Sequence, residues 1–138
     1  MSERFVVDAS VGVAWVHPAQ ATPQSEAMLQ AVYDGAVVEA PALWPLEVAN
    51  ALLVLVRRKK LSADERQQSL LALQGLSVEL DHEMSSLAFT KLSALAAQHR
   101  LSVYDAAYIE LALRKNLPLG CKDGPLREAA KRCHLGSL

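Results

Sequence analysis

The run Phe5-Val6-Val7-Asp8-Ala9-Ser10 decides the architecture. An aromatic and two β-branched residues in succession read as a short strand buried on both faces, and the acid that follows ends it. Ser10 is placed to cap a short helix through Trp15, which His17-Pro18 breaks. Outward from there, the same alternation repeats. Thr22-Pro23 opens a second helix from about Gln24 to Asp34, closed by Gly35, and Val37-Val38-Glu39-Ala40 is a second strand ended by Pro41. A strongly apolar helix runs from Leu43 to Lys60, with Leu46, Ala49, Leu53 and Val56 along one face. Ser62-Ala63-Asp64-Glu65 has the spacing of a capping box and starts a helix that Gly75 ends. Val78-Glu79-Leu80 is a weak third strand, followed by a helix from about Ser85 to His99. Ser102 opens another that reaches Lys115. Leu117 to Cys121 reads as a fourth strand and Pro125 to Cys133 as a last helix. Strands separated by helices require parallel crossover connections, so the chain is expected to be α/β, with helices on both faces of one sheet. No internal repeat or linker interrupts it, and residues 1–138 are expected to form a single domain.

Composition narrows the function. Hydrophobic residues make up 51% of the 138 and charged residues 21%, which excludes a disordered chain. With 14 Lys and Arg against 15 Asp and Glu, the net charge is −1, so bulk positive charge is not how this chain would hold nucleic acid. The two cysteines, Cys121 and Cys133, fit no zinc pattern and are too few for a disulfide scaffold, which points to a reducing, cytoplasmic setting. Met1-Ser2-Glu3-Arg4 has no export signal, and the most apolar window, Val48 to Val56, is far shorter than the ~20 residues that span a bilayer.

Ligand sites in open parallel sheets lie beyond the carboxyl ends of the strands. Asp8 ends the first strand and Asp123 lies just past the fourth, while Glu47 and Asp105 occupy first turns of otherwise apolar helices. Each has a structural explanation. Asp105 stands three residues after Ser102 at capping-box spacing, Asp123 precedes Gly124-Pro125 as a turn residue, and Glu47 complements a helix dipole. Asp8, an acid ending a buried strand, is the hardest to explain by solvation. Four acids cannot converge without a cation, because like charges ~4 Å apart repel by about 4 kcal/mol at an effective dielectric near 20. Oxygen-only ligands select Mg²⁺ or Mn²⁺. Ser10 is a cap or a donor to that site, and Asn50, a turn beyond Glu47, is either a core hydrogen bond or a site residue. His17, His82, His99 and His134 read as surface residues and Tyr104 and Tyr108 as core. Arg57-Arg58-Lys59-Lys60 is a helix C-terminus or a contact for the phosphates of a nucleic acid.

Four segments in order carry a family resemblance. Val6-Val7-Asp8-Ala9-Ser10-Val11 opens it, and Pro41 to Leu52, with Glu47 and Asn50, follows. Leu101-Ser102-Val103-Tyr104-Asp105-Ala106-Ala107-Tyr108 is the most distinctive, and Lys122-Asp123-Gly124-Pro125 to Ala130 completes the set. Over essentially its whole length the chain resembles the PIN-domain ribonucleases, and within them the VapC-type toxins of toxin–antitoxin pairs. The resemblance implies a three-layer sandwich whose central parallel sheet has four to five short strands. It implies an acidic Mg²⁺ or Mn²⁺ site of Asp8, Glu47, Asp105 and Asp123, supported by Ser10 and Asn50. It also implies metal-dependent hydrolysis of RNA, a cognate antitoxin and a homodimer, with no membrane role. Cys121 departs from the pattern, since many relatives carry Thr or Ser two residues before the fourth acid. The alternative is a catalytically silent PIN-like module that binds protein or RNA. Four intact acids count against it, because a binding module has no reason to keep a repulsive cluster.

Overall fold

The computed structural model describes residues 3–122 and 124–136. In chain order the elements are β1 (Arg4–Val7), α1 (Ala9–Val16), a 3-10 turn (Pro18–Gln20), α2 (Pro23–Tyr33), β2 (Val37–Pro41), α3 (Trp44–Arg57) and α4 (Ala63–Gln74). Then come β3 (Val78–Asp81), α5 (Met84–Leu87), a π turn (Ala88–Leu92), α6 (Ser93–His99), α7 (Val103–Lys115), β4 (Leu119–Gly120) and α8 (Pro125–Arg132). The described strands form one parallel sheet in the order β3-β2-β1-β4. Strand β1 is central, with Phe5, Val6 and Val7 buried. It pairs Val6 with both Glu39 and Leu119. Two helical groups flank the sheet: α1 packs on α2, α3 and α4, and α7 packs on β1, β2, α6 and α8.

Local chemistry explains most boundaries. Ser62 and Glu65 form the reciprocal capping box their spacing predicts, at 2.9 and 3.0 Å, and Thr22 and Ser25 form another at the start of α2. The first helix differs from expectation. Asp8, not Ser10, is the N-cap of α1, because the strand ends at Val7 and the helix begins immediately after the acid. The buried face of α3 also differs, being Trp44, Val48, Leu52 and Leu55, while Leu46 is 73% exposed. A β-carbon on Gly12 would stand 2.7 Å from the Trp44 ring, so α1 and α3 cross where only a hydrogen fits.

The helix expected over Ser85–His99 is interrupted by the π turn, where the Ser93 hydroxyl donates to the Ala88 carbonyl at 2.6 Å and holds the wider loop. The fourth strand is shorter than Leu117–Cys121, being two residues long, and the Gly136 carbonyl accepts from the Leu119 N–H beside it. His17 is buried rather than a surface residue, and Tyr104 is 66% exposed rather than in the core. Arg57 to Lys60 are exposed at the end of α3. No disulfide joins Cys121 and Cys133. Among the described residues, no helix is long and apolar enough to cross a membrane.

Candidate active site

Because the strands are parallel and the sheet is covered on both faces, polar groups gather where the strands end and the next helices begin. Asp8 sits there at the centre of the sheet. Its backbone is held on two sides: its N–H donates to the Gly120 carbonyl at 3.0 Å, and its carbonyl accepts from the Trp44 indole N–H at 3.0 Å. Its side-chain Oδ1 accepts from the Val11 N–H at 3.2 Å, capping α1, and from the Ser10 hydroxyl at 2.7 Å. Ser10 in turn accepts from the Lys122 N–H at 3.3 Å, so it joins Asp8 to the segment following β4. The Lys122 carbonyl is tied down by Arg127 at 2.9 Å.

Glu47, in the first turn of α3, accepts from the Tyr108 hydroxyl at 2.6 Å. Asp105 is in the first turn of α7, where its N–H donates to the Ser102 hydroxyl at 3.0 Å. This cap is one-way, without the return bond seen at Ser62 and Glu65. The Asp105 carboxylate does not bond the Ser102 N–H in return, and it interacts with the Ser102 hydroxyl instead.

Asp8 senses both of the other described acids, and Glu47 senses Asp105. Burial, with smaller contributions from the charges of Asp105 and Glu47, pushes Asp8 up from its ordinary 3.8 to about 6 against the bonds from Ser10 and Val11. Burial likewise raises Glu47, opposed by the Tyr108 bond and aided by Asp105. Burial also raises Asp105, opposed by Ser102. Tyr108 is itself pushed far up, by burial and by Glu47, and so stays a neutral donor. Among the described residues no Lys or Arg is ion-paired with any of these acids.

Such a set suits a hard divalent cation in donor type, all oxygen, and in its uncompensated charge. As placed, no three His, Cys, Asp or Glu among the described residues stand close enough together to hold an ion. Asp8 and Glu47 are each turned to a hydroxyl donor instead. Asp123, the fourth acid expected from the sequence, lies outside the described residues.

No family model matches the chain. A curated relative, Ribonuclease VapC3 of Pyrobaculum aerophilum, is 36% identical over 113 residues, which covers 79% of this chain and 81% of that protein. The chain belongs to the VapC family of PIN-domain ribonucleases. Solved VapC structures share its fold. VapBC2 of Rickettsia felis, bound to a DNA fragment from its promoter, superposes with a TM-score of 0.66 at 12% identity, over 98% of this chain and 97% of that one. VapC20 of Mycobacterium tuberculosis, a toxin that cleaves the sarcin–ricin loop, does so with 0.62 at 16% identity, over 91% and 94%.

Within this VapC fold the remaining candidates separate. Asn50 is exposed and is not the core hydrogen bond that was one of its two readings. With Leu43, Leu46, Glu47 and Tyr104 it lines an open recess of about 270 Å³. Two residues that position the acids went unread in the sequence. Trp44 holds the Asp8 carbonyl, a partner that a buried indole N–H requires. Tyr108 is in the core as expected, but its hydroxyl reaches Glu47. Its one signal was its place a turn beyond Asp105 on the same helix.

Proposed function

We propose that this chain is a metal-dependent endoribonuclease, the toxin of a toxin–antitoxin pair, which hydrolyses RNA phosphodiester bonds with a carboxylate-held Mg²⁺ or Mn²⁺. The observation that supports this reading is that Asp8, Glu47 and Asp105 lie near enough for Asp8 to feel the charge of both others and Glu47 that of Asp105, although as placed they do not close on a single ion. They come from three separate places in the fold, each is raised by burial, and among the described residues no Lys or Arg pairs with any of them. A protein keeps such a cluster at a cost in stability, which functional sites accept. The three acids would hold the ion, with Asp123 as fourth ligand. When bound, the ion polarises the scissile phosphate and supplies a nucleophilic water near neutral pH.

This chain's own residues do the rest. Ser10 orients Asp8, Ser102 orders the turn that carries Asp105, and Asn50 faces the recess beside Glu47. Arg57, Arg58, Lys59 and Lys60 add sequence-independent contacts to RNA phosphates. The family resemblance supports an antitoxin and a homodimer as partners, and the two-cysteine composition supports a cytoplasmic setting. In support, a chain of this fold occurs in a toxin–antitoxin complex from Klebsiella pneumoniae.

The test is cleavage of an RNA panel by the purified chain with Mn²⁺, with Mg²⁺ and with chelator. Cleavage that needs the metal and is lost in Asp105→Ala supports the reading. Cleavage that persists in chelator overturns the metal, and no cleavage under any condition overturns the enzyme.

A further inference from the structure

The Tyr108 ring is 1% exposed and lies wholly in the core, yet its one polar atom reaches out of the core to Glu47 Oε1 at 2.6 Å. Asp105 lies one turn earlier on the same helix. Helix α7 therefore both carries one acid of the site and grips another that belongs to α3. A glutamate in the first turn of a helix has three side-chain torsions to order, and Glu47 also faces the open recess beside Asn50. A charge-assisted bond from a ring that cannot move removes that freedom in advance. It occupies Oε1 and leaves Oε2 for the site.

We propose that Tyr108 is a positioning residue of the acid site, fixing the orientation of Glu47 relative to Asp105. This rests on the reading of Glu47 as a metal ligand. A purely structural role, a buried hydroxyl finding the nearest acceptor, would affect stability alone. A positioning role moves metal affinity and turnover. Removal of an outer partner of a metal ligand costs about 10- to 100-fold in either.

The experiment compares the full chain with Tyr108→Phe, Glu47→Ala and the double variant. Mn²⁺ affinity is read by electron paramagnetic resonance, and kcat and KM are measured on one RNA. For Tyr108→Phe the expected result is a Kd for Mn²⁺ raised about 10- to 100-fold, with kcat lowered and KM unchanged. In the Glu47→Ala background Tyr108→Phe should add no further loss of Mn²⁺ affinity, since the residue it acts through is gone. Wild-type Mn²⁺ affinity and kcat in Tyr108→Phe overturn the proposal, as does an effect that persists undiminished in the double variant. If instead Glu47→Ala binds Mn²⁺ and cuts RNA as well as wild type, the metal-ligand reading of Glu47 itself fails. A second readout does not depend on Tyr108→Phe folding. Fluorotyrosine at position 108 should show a fluorine resonance that Mg²⁺ shifts in the wild-type background and leaves in place with Glu47→Ala. A resonance indifferent to Mg²⁺ in both overturns the proposal.

Discussion

Two groups of acids in this molecule are treated in opposite ways. Asp81, Glu110 and Glu39 are matched by cations. Arg114 bonds Asp81 at 2.8 Å and Glu110 at 2.9 Å, and Glu39 lies within 3.4 Å of Arg4 and 3.8 Å of Lys115. Asp81 is accordingly held below the usual carboxylate range, chiefly by its bonds from Arg114. Among the described residues, Asp8, Glu47 and Asp105 receive hydroxyl and backbone donors but no cation, and all three are raised. The first group ties β3 to α7 and stabilises the fold. The second contributes a helix cap and hydroxyl bonds but carries negative charge that its neighbours leave uncompensated.

Substitution should separate the groups most sharply in activity. Asp8→Asn keeps the N-cap and the acceptor for Ser10, since Asn caps as well as Asp, but removes one charge from the cluster. RNA cleavage should fall by about a thousandfold or more as water activation is lost, while the fold in chelator stays at least as stable as wild type. A variant that melts lower in chelator yet cuts at the wild-type rate would place Asp8 with the structural group.

The matched group should answer in stability instead. Arg114→Ala leaves Glu110, 5% exposed, without its partner, and should cost about 3 kcal/mol in denaturant unfolding. Metal-dependent cleavage by the folded fraction should be retained. A loss under about 1 kcal/mol would mean that the network is no stronger than surface pairs.

Acid titration probes the same contrast with opposite signs. Asp8 has a folded pKa near 6, above its ordinary 3.8. Its contribution to stability is therefore complete below pH 4 and lost as pH rises through 6, by up to about 3 kcal/mol. Asp81 is lowered, so its contribution is present above its ordinary pKa and lost as pH falls below 4. Melting curves in chelator from pH 3.5 to 8 should show the gain of Asp8→Asn over wild type at pH 7.5 and none at pH 4. A pH-independent difference would contradict the raised carboxyl.

The smallest effect expected belongs to the one-way cap. Ser102→Ala should cost about 1 kcal/mol by the loss of the bond to the Asp105 N–H, and cleavage should fall only modestly. Loss of cleavage as complete as in Asp105→Ala would mean that Ser102 serves the site more than the helix.

What the sequence revealed follows the range of the interactions concerned. The capping box from Ser62 to Glu65 is four residues long and was readable on sight, as was the buried Phe5-Val6-Val7 strand. The acids stood out because charged residues in apolar surroundings need a reason, though that signal says nothing of how they are oriented. The α3 face was misread because apolar residues occur on two neighbouring stripes. The choice between them depends on Trp44, whose ring packs where Gly12 leaves room and whose N–H binds the Asp8 carbonyl. Ser10 and Asp8 are both good caps, and only the end of β1 at Val7 decides between them. The bond from Tyr108 to Glu47 spans 61 residues, and no local pattern encodes it.

The order of the sheet has a consequence for the timing of synthesis. Strand β1 lies between β2, made about thirty residues later, and β4, made more than a hundred residues later. While the chain is being translated, its most apolar strand thus waits with one edge unpaired, a template for the wrong partner. The Gly120 carbonyl that closes this edge also holds the Asp8 N–H, and the Lys122 N–H reaches Ser10 just after it. The nascent chain therefore protects its central strand and completes the surroundings of Asp8 in the same late step, once β4 has followed α7.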